Sequence, residues 1–151
     1  MWQKKGRIFN VNGSHAWNKS HAQCPVVDMV NDKMWRIYYA TRNEKGQSQI
    51  SYIEVMAGQP EHILYEHDAY LFEFGKPGTF DDSGLMPSCV VTIGSTKYLY
   101  YIGWTLKKTV PYHNSVGLAV SKDEGKTFKR LYEGSIMPSI ATEPYFTGTS
   151  Y

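Results

Sequence analysis

Apolar and aromatic residues in this chain occur in short runs that are separated by residues typical of turns. One run begins at Pro25 and reaches a turn signal at 31–33, and a second run follows at 36–42. Short runs between turn signals predict β-strands. No segment keeps a helical apolar period together with a start and a stop signal, so the pattern predicts little helix.

This series of strands occurs twice. A second run begins at Pro87, 62 positions after Pro25, and the Tyr100-Tyr101 pair also lies 62 positions after Tyr38-Tyr39. Two landmarks at one offset indicate an internal duplication. Third strands are predicted at 48–55 and 114–120, fourth strands at 63–65 and 128–132, and a third copy opens at 143–146.

Four short antiparallel strands in each unit are typical of a blade of a β-propeller, so an all-β, propeller-type fold is predicted. The expected organisation is a lead-in segment at 1–20, a first blade at 21–75, a second at 76–137 and the start of a third at 138–151. About two and a half blades leave an apolar face without a neighbour. We therefore expect either the N-terminal part of a protein of roughly twice this length, or a homo-oligomer.

The amino-acid composition favours β-strands, and the net charge argues against some classes of binding partner. The 151 residues include 12 Tyr, 6 Phe and 4 Trp, which suit a pleated, half-buried surface and also occur in sugar-binding clefts. The net charge of +2 gives no reason to expect nucleic acid or a membrane surface as partner. No apolar run could span a bilayer and no secretory signal is evident. Two cysteines, Cys24 and Cys89, are compatible with a cytoplasmic location.

Residues 121–128 match the Asp-box pattern S-x-D-x-G-x-T-W/F, which is familiar from sialidases and other propellers. The pattern predicts a hairpin in which Asp123 accepts backbone hydrogen bonds, Gly125 adopts a positive φ and Phe128 returns to the core. It indicates a fold and not a reaction, so we assign it a structural role.

Taken together, these residues resemble the five-bladed propeller superfamily of glycoside hydrolase families 32, 43, 62, 68 and 130. More specifically, they resemble a group of uncharacterised proteins of that superfamily, often linked to surface-polysaccharide gene clusters. The resemblance covers nearly the whole chain and rests on segments 20–23, 37–39, 78–84, 86–91, 99–104 and 143–146.

The resemblance implies one acidic residue at the start of each inner strand, often just before a proline. It would place a base or nucleophile on the first blade, a helper Asp on the second and a general-acid Glu on the third. In this chain Cys24 stands before Pro25 and Met86 stands before the second such proline. Only Glu143, which precedes Pro144, has the chemistry of the family.

Glycoside cleavage needs two carboxyl groups, one to protonate the leaving oxygen and one to attack or to activate water or phosphate. Asp81 and Asp82 lie on a glycine-rich loop just before the second inner strand, and with Glu143 they are the candidate catalytic residues. An Asx turn explains the two aspartates equally well. Successive side chains of an extended chain point in opposite directions, so one of the pair is expected to face the site.

Four further residues are candidates for substrate binding: His21, Gln23, Arg42 and Trp104. Arg42 and Trp104 end the two second strands, where an arginine could hold a carboxylate or phosphate and a tryptophan could stack on a sugar. A structural histidine, a rim ion pair and core packing are the alternative interpretations. The histidines show no metal-ligand spacing, so neither a metal nor another cofactor is predicted.

These features predict a carbohydrate-active protein, either a glycoside hydrolase or a glycan phosphorylase-like enzyme that acts on a surface or storage polysaccharide. The alternative is a non-catalytic glycan-binding or interaction module, which the residues before Pro25 and Pro87 favour.

Overall fold

The computed structural model describes residues 1, 3–4 and 6–148, and within these it contains strands and no helix. The all-β class predicted from the sequence is therefore confirmed. The strands of this described part are β1 (Ser20–Asn31), β2 (Met34–Arg42), β3 (Ser48–Met56), β4 (Gln59–Glu66), β5 (Gly84–Ile93), β6 (Thr96–Leu106), β7 (Tyr112–Ser121) and β8 (Lys129–Arg130).

The strands form two antiparallel meanders, which we call the first unit (β1–β4) and the second unit (β5–β8). Within each unit every strand pairs with the next one in sequence. A single parallel pairing, between Ser48 of β3 and Gly84 of β5, joins the units into one open eight-stranded sheet. The division of the chain into propeller blades stays a prediction.

The two units pack against each other through the larger of two apolar clusters. Tyr38, Ile50 and Tyr52 of the first unit meet Leu99 and Tyr101 of the second. Side chains alternate between the two faces of a strand, so the contacting residues of each strand lie on one of its faces. Burying these aromatic and aliphatic side chains is the main apolar contribution to the association of the units.

The other face of the first unit carries the smaller cluster. Ile37, Tyr39 and Val55 are buried there, and Phe9 and Val11 of the lead-in segment pack against them. The stretch 7–11 is not part of a strand, so it covers this face by side-chain packing without pairing to the sheet.

Polar contacts join the units at the end of the sheet that carries the 121–128 turn. Asp123 accepts from the backbone N–H of Thr127 at 3.0 Å, and Gly125 has a φ of 84°. The hydroxyl of Tyr38 donates to the Gly125 carbonyl at 2.8 Å, and Arg36 donates to the Glu124 carbonyl. The turn of the second unit is thereby fastened to β2 of the first, far from the ends of the strands that carry the candidate site.

Candidate functional site

The predicted site residues on the strands lie at one end of the sheet. Antiparallel order brings together the starts of the odd-numbered strands and the ends of β2 and β6. His21 and Gln23 are near the start of β1, Arg42 ends β2 and Trp104 is close to the end of β6. Asp82 belongs to the loop that leads into β5. The fold therefore gathers residues that are far apart in sequence.

Ser48 connects two of these candidates across the junction of the units. It is the cross-strand partner of Arg42, and its hydroxyl accepts a 2.8 Å hydrogen bond from the indole N–H of Trp104. Trp104 also accepts, through its carbonyl oxygen, the backbone N–H of Ser83 at 3.1 Å. The loop before β5, the tryptophan and the end of β2 thus form one continuous set of contacts.

The beginning of β1 is irregular where it meets β5. His21 and Cys24 have positive φ values of 67° and 52°, and the pairing with β2 shifts register between Ser20 and Val26. Non-glycine residues seldom adopt this conformation, which is often found at functional sites. The irregular segment brings the Cys24 sulfur within 3.9 Å of the Met86 sulfur.

The contact between Cys24 and Met86 joins the two positions that precede the inner-strand prolines. The amide nitrogen of Gln23 also lies 3.7 Å from the Met86 sulfur. The two equivalent positions therefore lie next to each other in space. Cys24 and Met86 therefore provide sulfur atoms, beside the amide of Gln23, at the positions where the resemblance implies carboxylates.

Asp81 is a fully buried carboxylate with 0% exposure. It accepts from the Tyr101 hydroxyl at 3.0 Å and forms an ion pair with Arg130, Nε to Oδ2, at 2.8 Å. The Thr79 hydroxyl donates to its other oxygen at 3.0 Å. These partners are Tyr101 of β6, Arg130 of β8 and Thr79 of the loop, so the surroundings of Asp81 suit a structural carboxylate that joins the loop to β6 and β8.

Asp82 is half-buried and has a different environment. Its oxygens accept from the Gly78 backbone N–H and the Ser83 hydroxyl, both at 2.8 Å. Partial burial acts to raise the pKa of Asp82, but these hydrogen bonds, one from Thr105 and the charge of Lys107 together hold it below its usual value. Asp82 is therefore an ionised carboxylate at the end of the sheet that carries the other candidates.

Glu143 lies at an exposed turn between β8 and the last described residue. Its backbone N–H and carbonyl pair with those of Ile140 at 3.0 Å. Four residues later, the Thr147 N–H donates to the carbonyl of Asn114, close to the start of β7. Glu143 is thus placed in a loop that approaches the candidate end of the sheet and not within an inner strand.

A cleft of about 320 Å³ lies between the lead-in segment and the start of β1. His21 lines it together with Arg7, Phe9 and Asn10, and the His21 ring nitrogen Nδ1 is 2.8 Å from the Ser20 hydroxyl. The cleft is open and offers ring, amide and cationic groups to a polar ligand. It adjoins the irregular start of β1.

Two polar atoms at this end are buried without a hydrogen-bond partner in the described part of the chain. They are Nε of Arg42 and the side-chain oxygen Oδ1 of Asn114, the cross-strand partner of Trp104. Buried polar atoms are nearly always paired in folded proteins. Both atoms therefore leave a hydrogen-bonding capacity unused among the described residues.

The described residues meet neither the requirements of a metal site nor those of a membrane-spanning helix. Within residues 1, 3–4 and 6–148, no three His, Cys, Asp or Glu side chains are grouped in a way that could hold a metal ion. The same residues include no helix long and apolar enough to cross a membrane.

Sequence reasoning did not identify Ser48, Ser83 or Arg130. Serines in strands and loops carry no distinctive pattern, and their roles here depend on the junction between units. Arg130 lies in the predicted fourth strand, and nothing in the local sequence there indicates that it pairs with Asp81. Each of these residues is recognised only from the residue that it contacts, and that residue is distant in sequence.

Comparisons with known proteins find uncharacterised relatives in sequence and a glycoside hydrolase with a similar fold. No protein-family model matches the chain. It is 36% identical over 142 residues to the uncharacterised proteins Rv1502 and MT1551, from two strains of Mycobacterium tuberculosis. These matches cover 94% of this chain and 46% of each relative, so the chain spans about half the length of the curated relatives it matches.

The structure is similar to that of Zg3597, a family 117 glycoside hydrolase from the marine bacterium Zobellia galactanivorans. The TM-score is 0.58, with 19% sequence identity over 80% of this chain and 35% of the hydrolase. At this identity the likeness is one of fold. A glycoside hydrolase thus shares the arrangement of strands found here.

Proposed function

We propose that this chain is part of a carbohydrate-active protein of the glycoside hydrolase type, built as a five-bladed propeller in which the first and second units are two blades. Support comes from the fold shared with a family 117 glycoside hydrolase and from the repeated four-stranded units. A fold alone hosts many reactions, so the proposal depends on the site.

The observation that carries the proposal is the set of contacts at one end of the sheet. Asp82, Trp104 and Arg42 are linked there through Ser83 and Ser48. An ionised carboxylate, an indole and a cation around the ends of inner strands can orient a sugar and stabilise positive charge at its reacting carbon.

In this proposal Asp82 acts as the ionised carboxylate, which attacks the sugar or activates a water or phosphate. Its lowered pKa suits that role better than the role of a general acid, which needs a proton near neutral pH. Glu143 is exposed on a loop that approaches the same end and is the candidate acid. Asp81 holds the loop before β5 in place through its ion pair with Arg130.

A second function, glycan binding without catalysis, is favoured by one specific observation. The positions that precede the two inner-strand prolines are Cys24 and Met86, whose sulfurs lie 3.9 Å apart. Neither sulfur can serve as the carboxylate that cleavage through these positions would require. In that case Arg42, Trp104 and His21 would bind a sugar and no bond would be cleaved.

One experiment separates the two functions. A panel of oligosaccharides is titrated calorimetrically against the protein, and released reducing ends are measured on every sugar that binds. For an enzyme, Asp82→Asn should reduce turnover by about 10²-fold or more while binding is kept. Asp32→Asn, an equal charge change in an exposed turn at the opposite end of the sheet, is the matched control.

Binding without turnover in the unaltered protein would support the second function. If no sugar binds, both proposals fail. Equal turnover in the Asp82→Asn variant and the control would remove Asp82 from the catalytic role.

A further inference from the structure

Arg42 differs from the other arginines of the described chain in having no side-chain partner. Arg36 pairs with Glu54 at 2.6 Å, Arg130 pairs with Asp81 at 2.8 Å, and Arg7 donates to Asn10 at 2.9 Å. The guanidinium of Arg42 forms no ion pair within residues 1, 3–4 and 6–148, and its buried Nε has no hydrogen-bond partner there.

The contrast with Arg36 is informative because both residues belong to β2. Residues at even positions of this strand share the face that packs on the second unit, so Arg36 and Arg42 lie on one face at opposite ends. At one end the charge is balanced by Glu54, which lies on the neighbouring strand. At the other end the cross-strand neighbours of Arg42 are Ser20 and Ser48, which are neutral.

A half-buried charge with no counter-ion is unfavourable, because it gives up part of its hydration and gains no partner. The Arg42 charge lies close enough to Cys24 to act on its pKa. Burial raises the pKa of the Cys24 thiol, and Arg42 acts in the opposite direction. Such an arrangement is expected where a ligand supplies the missing anion.

We propose that Arg42 is the recognition point for an acidic sugar, and that the carboxylate of a hexuronic acid residue pairs with its two terminal nitrogens. This inference rests on the proposed carbohydrate function and names the class of substrate. The two terminal nitrogens of a guanidinium present two parallel N–H groups, which match the two oxygens of a carboxylate.

The neighbouring groups fit a pyranose ring attached to that carboxylate. Trp104 donates to the hydroxyl of Ser48, the cross-strand partner of Arg42, so the indole lies close to the cation. Aromatic side chains can pack against the apolar face of a sugar, while the arginine holds the acidic substituent at C6. Charge and ring would thus be recognised by residues from different units.

The test compares three trisaccharides in calorimetric titrations of the whole protein: galacturonic acid, neutral galactose of the same linkage and a sulfated galactose. The uronate should bind about 10- to 100-fold more tightly than the neutral sugar, the range for hydrogen bonds to a charged group. Arg42→Gln should abolish this preference, and Arg42→Lys should keep only a small part of it because the planar pair is lost.

Lys122→Gln is the matched control, since it removes the same charge from an exposed position in the turn at the opposite end of the sheet. It should leave the preference for the uronate unchanged. The melting temperature of Arg42→Gln should equal that of the unaltered protein, because Arg42 has no partner to lose. A purely structural arginine would instead lower it.

Each outcome bears on the inference. Equal binding of acidic and neutral sugars, or a preference that survives Arg42→Gln, would overturn it and leave the carbohydrate function standing. A preference for the sulfated sugar over the uronate would overturn the choice of a carboxylate. Binding of none of the three would overturn the inference together with the proposed function.

Discussion

At the scale of single residues, several charged side chains form ion pairs that join strands to one another or to a loop. Arg36 with Glu54, Lys97 with Asp28, and Arg130 with Asp81 are ion pairs that are largely buried. Breaking such a pair is costly because one charge remains in a low-dielectric environment without its partner. These ion pairs indicate which acidic residues have a structural role, and Asp81 is one of them.

We expect Asp81→Asn to destabilise the protein by about 3 kcal/mol, because the half-buried Arg130 would lose its counter-ion. Urea denaturation measures the free energy of unfolding. Asp82→Asn is the matched comparison, and its effect should be smaller since Asp82 is half-buried. Equal losses in the two variants would contradict the structural role of Asp81.

The turn at 121–128 predicts a pH dependence. Partial burial acts to raise the pKa of Asp123, but hydrogen bonds from Ser121 and Thr127 outweigh it and lower the pKa to about 2. A lowered pKa means that this carboxylate stabilises the fold above its unfolded-state pKa, near 4, and that the contribution is lost as the pH falls towards 2.

Urea denaturation at several pH values should therefore show the protein more stable than Asp123→Asn at neutral pH, with the difference shrinking between roughly pH 4 and pH 2. Asp32→Asn, in the exposed turn at 31–33, serves as the control. A difference that stays constant over this range would be inconsistent with a hydrogen-bonded Asp123 carboxylate.

At the scale of elements, glycines allow the close approach of the strands and loops that build the site. A β-carbon added at Gly84 would lie 2.1 Å from the Trp104 indole nitrogen, and one at Gly103 would lie 2.4 Å from the Asp81 β-carbon. The junction of the two units at Ser48 and Gly84 therefore depends on a missing side chain, which lets Trp104 lie over the strand.

Gly84→Ala should displace Trp104, weaken its hydrogen bond to Ser48 and destabilise the protein by about 1–3 kcal/mol. Denaturation curves and the tryptophan emission maximum report the two effects. Gly134→Ala is the control, since a β-carbon there meets no atom within 4 Å. Unchanged stability and emission in Gly84→Ala would show that the tryptophan is not packed on this strand.

At the scale of the whole molecule, the duplicated units have equivalent faces with different surroundings. Tyr38 is buried by the second unit, whereas Tyr100, its counterpart 62 positions later, is only half-buried. The strip around Tyr100 includes Leu118, which pairs with it, and Val91, which is 38% exposed and pairs with Tyr98. Because repeated units pack on their neighbours, we propose that this face is a surface on which another unit packs.

We expect the 151-residue chain to self-associate through this face, because an interface of about 800 Å² per partner is enough for a stable complex. Light scattering measures the mass in solution. Val91→Lys should shift the equilibrium towards the monomer, since it places a charge within the strip, whereas Leu64→Lys, on exposed β4, should not. A monodisperse 17.3 kDa monomer of the unaltered chain would rule out association.

The fold was predictable from the sequence to the level of its strands. Turn signals and aromatic runs located β2 and β6, and the offset of 62 residues related them. The start of β1 was less predictable, because its register shifts and the positive φ of Cys24 have no signal in the local sequence. The two-residue strand β8 likewise depends on pairing with β7 and not on a local pattern.

The sequence by itself determined the all-β class and the repeated unit, because strand formation and turns follow from neighbouring residues. Only the tertiary structure distinguished Asp81 from Asp82, since adjacent residues of one loop meet opposite environments: Arg130 in the core for one, and solvent beside Gly78 for the other. The unpaired state of Arg42 was equally invisible, because a missing partner is a property of the space around a side chain. Charge balance depends on which strands meet, and the packing of the two units decides that.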